Sequence, residues 1–167
     1  MYAYPESYRD DVVEEQGALF GNCSDECYDM VYLVTSYMNS RLRFLMDTGD
    51  PIRLTRFGYE LFEMLNEEVR QKKLSKPKNN GFRDEWIGMT YAWLQWKLSI
   101  YSKDLFKILS YEELSWRYEG LHDRDLDESC TLLIDMMKRD NRLKGVEHCT
   151  YANAPEYQYM VQEQEEV

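Results

Sequence analysis

The chain has 167 residues, the length of one domain. It carries 31 acidic and 20 basic residues, a formal net charge of −11, which argues against a binder of duplex nucleic acid, because such binders need cations to displace phosphate counterions. Apolar residues at 44% and aromatics at 14% exclude a disordered chain, and no apolar run of about 18 residues is present to span a membrane.

The start, Met1 to Asp10, lacks the basic stretch and apolar core of a signal peptide, so a cytoplasmic location is expected. Pro5 suits a first helical position, and Val12, Val13, Gln16, Leu19 and Phe20 recur at helical steps. Gly21 and Asn22 read as the stop. A second helix is expected from Asp29 to Met46, ended by Thr48-Gly49-Asp50-Pro51. Ile52 to Thr55 could pair briefly as a strand. Thr55 is placed to cap a third helix carrying Phe57, Leu61, Met64, Leu65 and Val69. Lys72, Lys73, Lys76 and Lys78 lie in a turn-rich loop that reads as a flexible junction and a solvated one.

Residues 84–100 are apolar nearly all round, with Trp86, Trp93 and Trp96 among them, so this is expected to be the buried central helix. A short helix follows from Ser102 to Leu109. Ser110-Tyr111-Glu112-Glu113 reads as a capping box for a helix to about Glu119, with Gly120 as its end. Asp125 with Glu128 can start a last helix through Cys130, Leu133, Ile134, Met137 and Leu143, closed by Gly145. The fold expected is therefore all-α, a compact single-domain bundle of six to seven helices over residues 1–145. Residues 146–167 form an acidic, Tyr-containing arm or tail.

The charge is uneven. Residues 1–30 hold eight acids against Arg9 alone, and residues 145–167 hold five acids and no Lys or Arg. Such runs ordinarily keep proteins soluble. The sharper expectation is an acidic surface of Asp10, Asp11, Glu14, Glu15, Asp25 and Glu26 facing a basic protein partner.

Chemistry-bearing clusters are few. Cys23, Cys27, His148 and Cys149 offer four zinc-type ligands, but the spacing between the pairs matches no compact zinc module, so no metal and no cofactor is expected. His122 sits among Asp123, Asp125 and Asp127 as a lesser candidate site. Neighbouring side chains on a turn point different ways, so a turn and an acid-rich helix start explain them as well. No Ser or Cys lies in a nucleophile motif.

Four stretches carry a resemblance. They are Tyr4-Pro5-Glu6-Ser7-Tyr8 through Gly17-Ala18-Leu19-Phe20; Tyr37-Met38-Asn39-Ser40 with Met46-Asp47; Trp86-Ile87-Gly88 through Trp96; and Gly120-Leu121-His122-Asp123 with Asp125 and Asp127. Together they resemble a family of small, uncharacterised acidic helical proteins of gut Firmicutes that look like companions of toxin or mobile-element genes. The resemblance implies an antitoxin-like or accessory role and names no catalytic residue. The expectation is a non-enzymatic protein that binds and neutralises or regulates a basic partner, such as a toxin. The alternatives are a phage-type, anti-CRISPR-like inhibitor that mimics nucleic acid against a nuclease effector, and an enzyme using the His122 region.

Overall fold

The computed structural model describes residues 2–149. Pro5 leads into a single 3-10 turn, Glu6–Tyr8, and nine α-helices follow among the described residues. They are α1 (Arg9–Asp25), α2 (Met30–Met38), α3 (Arg41–Asp47), α4 (Pro51–Leu54), α5 (Gly58–Glu68), α6 (Gly81–Leu98), α7 (Ser102–Ile108), α8 (Tyr111–Leu121) and α9 (Leu126–Arg139). No strand occurs among the described residues; two isolated bridges, Tyr28 with Lys73 and Ile100 with His148, are the only extended pairings there. No helix among them is long and apolar enough to cross a membrane.

The seam between α1 and α6 organises the rest. The helices run antiparallel, with the Trp96 indole N–H donating to the Tyr4 carbonyl at one end (3.0 Å) and Gly21 facing Gly81 at the other. Glycines let the backbones meet. A Cβ on Gly88 would sit 2.6 Å from the Gln16 carbonyl oxygen and 3.1 Å from the Gly17 Cα. A Cβ on Gly21 would sit 3.0 Å from the Glu85 Cβ. The buried Gln16 amide donates across the seam to the Gly88 carbonyl at 2.8 Å. Gly21 is thus a packing residue, not a stop, and α1 continues through Asn22 to Asp25. As the apolar run predicts, α6 is central and buried, including Trp86, Tyr91, Trp93 and Trp96.

Two buried polar centres tie other elements to this pair. Asp84 of α6 accepts from the Ser24 hydroxyl of α1 (2.6 Å) and the Tyr111 hydroxyl of α8 (2.6 Å). The second centre surrounds Arg43, which has no exposed surface. Its guanidinium lies 3.1 Å from the Asp47 carboxylate one turn on, and donates to the Gln95 side chain of α6 at 3.3 Å. The Ser102 N–H and hydroxyl donate to Asp47 at 2.8 and 2.7 Å. Burial pushes the Asp47 carboxyl up, to about 6, while Arg43 and the Ser102 donors pull it back. The guanidinium, which cannot release its proton, and the Ser102 donors favour the carboxylate form of Asp47. The chain returns to this centre at residues 146–149, where the Cys149 N–H donates to the Ser99 carbonyl at 2.7 Å. Residues 150–167 of the expected arm lie outside the described residues.

Several boundaries differ from the periodicity. Asp29 to Met46 is two helices, because the Ser40 hydroxyl accepts from the Arg43 N–H (2.9 Å) and starts a new one. Residues 51–54 form a helical turn capped by Asp50 rather than a strand segment. Thr55 does not cap α5, since its hydroxyl donates back to the Pro51 carbonyl at 2.9 Å. Phe57 occupies the N-cap position instead. The Ser110 hydroxyl does cap α8, but the Glu113 carboxylate turns to Arg117 and Arg142 rather than completing the box. That helix passes through Gly120 to Leu121, and α9 ends at Arg139, short of Gly145. The lysine loop is pinned rather than free. Its Leu74 N–H donates to the Cys27 carbonyl (2.8 Å), its Lys72 carbonyl accepts from the Asp29 N–H (2.8 Å), and Asn79 donates to the carbonyls of Ser24 and Tyr28.

Gly88→Ala should lower stability by about 1–3 kcal/mol, because the added methyl meets backbone on both sides. Gly120→Ala, where nothing lies within 4 Å of the added carbon, should instead raise it by about 0.5–1 kcal/mol. Urea unfolding of the two variants checks the contrast. Arg43→Met should cost about 3–5 kcal/mol by leaving Asp47 buried without its countercharge. The double variant Arg43→Met/Asp47→Leu should lose less than the sum of the single losses in the same experiment.

Candidate functional site

Packing α1 against α6 on one side turns its opposite face outward. Asp11, Glu14, Glu15, Ala18, Asn22 and Asp25 follow three- and four-residue steps along that face. Asp11, Glu14, Asn22, Asp25 and Glu26 are exposed. The structure therefore brings most of the expected acidic residues onto one surface. Two of them differ. Asp10 falls to the side and pairs with the Arg9 guanidinium at 2.9 Å. The Glu15 carboxylate accepts from the Gly58 N–H at 2.6 Å, so it holds the first turn of α5 against α1 instead of facing outward alone. Gly58 fits there because a Cβ would meet the Glu15 carbonyl oxygen at 2.9 Å and the Leu19 nitrogen at 3.0 Å.

Grooves lie on both flanks of α1. Between α1 and α5 an open cavity of about 230 Å³ is lined by Leu19, Asn22, Cys23, Asp25, Glu26, Gly58, Tyr59 and Phe62. Between α1 and α6 a second, of about 180 Å³, is lined by Ala18, Gly21, Asn22, Asp25, Gly81, Phe82 and Glu85. Asn22 and Asp25 form the ridge shared by both.

Large aromatic rings stand in solvent around these grooves. Phe57, Tyr59 and Phe82 are 55%, 66% and 82% exposed, and the rings of Phe57 and Tyr59 stack at 5.9 Å. Sequence reasoning missed them. Phe57 shares the four-residue spacing of the buried Leu61 and Leu65, but at the N-cap the chain has already left the core face. Tyr59 and Phe82 lie off the apolar stripes of their helices, and that mismatch was the available signal.

Three of the four cysteines are held as buried thiols. Burial, together with the nearby Glu26 carboxylate, pushes the Cys23 thiol up to about 12. Burial also pushes Cys149 up to about 12 and raises Cys130 further. Thiolates are the reactive and metal-binding form, so these three are held in the inert one. Cys23 lines the groove by α5, whereas Cys149 packs beside Gln95 and Asp47, and among the described residues no group of three or more His, Cys, Asp or Glu side chains is placed to hold a metal ion.

The lesser candidate cluster does not converge. The His122 Nδ1 turns back to the Tyr118 carbonyl at 2.8 Å, its ring stacks on Tyr118 at 4.2 Å, and its Nε2 lies 3.1 Å from Asp123. Asp125 and Asp127 are exposed at the start of α9. That is a helix end followed by an acid-rich helix start.

No protein family, curated protein or solved structure matches the chain in comparisons with each.

Cys27 is the half-exposed thiol, while Cys23, Cys130 and Cys149 are buried. Mass spectrometry after a brief treatment of the folded protein with iodoacetamide should find Cys27 alkylated and the other three protected until denaturant is added.

Proposed function

We propose that this protein is a non-enzymatic, antitoxin-like or accessory binder that docks a basic protein partner on the outward face of α1 and neutralises or regulates it. The observation that carries the reading is the conjunction on that face. Asp11, Glu14, Asp25 and Glu26 are exposed along α1, and Phe57, Tyr59 and Phe82 expose their rings beside them. Isolated exposed apolar side chains are ordinary on protein surfaces, but several large rings around two grooves mark an interaction surface. Aromatic side chains supply contact area at little entropic cost and dominate interface energetics. The carboxylates would steer a basic partner into place and select against acidic ones.

Charge density ranks a protein partner above nucleic-acid mimicry. Asp11 to Asp25 spans about 21 Å of helix. A single nucleic-acid strand places about six phosphates in that length. The α1 face offers three exposed carboxylates over it, Asp11, Glu14 and Asp25, interleaved with Ala18 and Asn22.

The test is association with a basic partner captured at low salt and retained after nuclease treatment. Asp11→Lys/Glu14→Lys/Glu26→Lys should slow its association about tenfold at low ionic strength, with the difference shrinking as salt is added. The melting temperature should stay close to the wild type, since these are exposed positions. An unchanged on-rate at low salt would sink the reading.

A further inference from the structure

The cavity between α1 and α5 has features that a general acidic face does not require. Its inner wall is apolar, made by Leu19 and Phe62 with the protonated Cys23. Its mouth carries two carboxylates, Asp25 and Glu26, and the ring of Tyr59. Neither carboxylate has an ion-pair partner among the described residues, although Arg9, Arg43, Arg53, Arg56, Arg117, Arg124 and Arg142 all have one.

The position of the carboxylates is also unfavourable for the helix itself. Asp25 is the last residue of α1 and Glu26 follows it, with no basic residue in that last turn. A helix C-terminus carries partial negative charge, so anions there cost stability. Asp25 is offset by the start of α6, since it packs over Gly81. Glu26 has no such compensation.

The aromatic wall shows the same imbalance. The protein places its own cations over several of its rings: Lys72 over Tyr32 at 4.2 Å, Lys73 over Tyr28 at 5.0 Å, Arg9 over Trp96 at 5.0 Å. No cation lies over Tyr59, Phe57 or Phe62 among the described residues. A preformed cavity with an apolar wall, two unpaired carboxylates and an uncovered ring matches one side chain above others. Arginine has an aliphatic stem for the wall, a planar cation for the ring and a fork of donors for the carboxylates. Lysine can supply the charge and sit over a ring, but it has neither the planar face to stack flat nor the fork.

We propose that the α1–α5 cavity is an arginine-side-chain pocket, in which Glu26 and Asp25 receive the guanidinium, Tyr59 stacks on it, and Leu19 and Phe62 cover its stem. This rests on the reading of the α1 face as a docking surface and names what that surface takes in. The Glu15 to Gly58 contact holds the first turn of α5 against α1 before a partner arrives, and such preorganisation lowers the entropic cost of docking.

The test is an NMR titration of the full chain with N-acetyl-arginine methylamide, its lysine counterpart, and the citrulline counterpart, which keeps the shape of arginine without its charge. The arginine compound should give saturable shifts centred on the amides of Asn22, Cys23, Glu26, Gly58 and Tyr59. Lysine should bind more weakly and citrulline should leave those amides in place. Tyr59→Ala and Glu26→Gln alter exposed side chains, so both should stay folded, and each should weaken the arginine compound about threefold. Shifts spread evenly over Asp10, Asp11, Glu14 and the acids of α8 and α9 would overturn the pocket, as would equal shifts with citrulline. Shifts of the pocket amides on raising protein concentration alone would also overturn it, by assigning the cavity to a second copy's lysine loop. The two readings fail separately. Slowed partner association in the Asp11/Glu14/Glu26 variant without a localised arginine response rejects the pocket and keeps the face. A localised arginine response with unchanged association does the reverse.

Discussion

The backbone of α1 touches the backbone of α6 at Gly17 and Gly88, and most of the molecule follows from that approach. Two helices this close leave little room for side chains where they cross, so each buries much of its remaining apolar surface against other elements. For α6 that means α7, α8 and α9. For α1 it means α2 and α5 on one edge, with the opposite face left in water. The exposed acids of α1 are outward because the glycine seam fixes the rotation of the helix about its axis. The grooves beside it exist because α5 and the first turn of α6 flank that same ridge.

The Arg43–Asp47 centre plays a different part. It contributes little net stability by itself, since burying two charges costs about as much as their attraction returns. Its effect is on arrangement. The placement of α3, α6, α7 and the segment at Cys149 brings the guanidinium, the Asp47 carboxylate and the Ser102 donors together. Competing packings of the many short apolar helices would leave a buried charge without a partner, a much larger cost than a misplaced methyl group. Asp84, with Ser24 and Tyr111, acts in the same way at the other end of α6 and fixes the end of α1 on which Asp25 stands.

The site draws on both devices. Its carboxylates sit at the end of α1 that Ser24 anchors, and its aromatic wall sits on α5, held by Glu15 through the Gly58 N–H. Few of its parts are mobile loop elements. On the proposed reading, such a face would recognise a partner by shape and charge already in place. Cys23, Cys130 and Cys149 are buried, and the His122 ring turns back onto its own helix.

The sequence by itself determined the helical class, the central place of the 84–100 segment, the cap at Ser110 and the concentration of acids near the N-terminus. These depend on periodicity, composition and local hydrogen bonding, which neighbouring residues decide among themselves. It misread Gly21 as a stop, Thr55 as a cap and Asp29–Met46 as one helix, because each depended on a residue distant in the chain or on a competing local bond. Glycine tolerance of close packing looks the same as glycine punctuation until a partner helix is present. Tertiary structure alone decided that Arg43 and Asp47 are buried, that Glu15 belongs to α5, and that Tyr59 and Phe82 stand beside Asp25 in solvent. Those outcomes are set by which faces meet across long separations in sequence, and side-chain spacing along one helix carries no record of what packs against it.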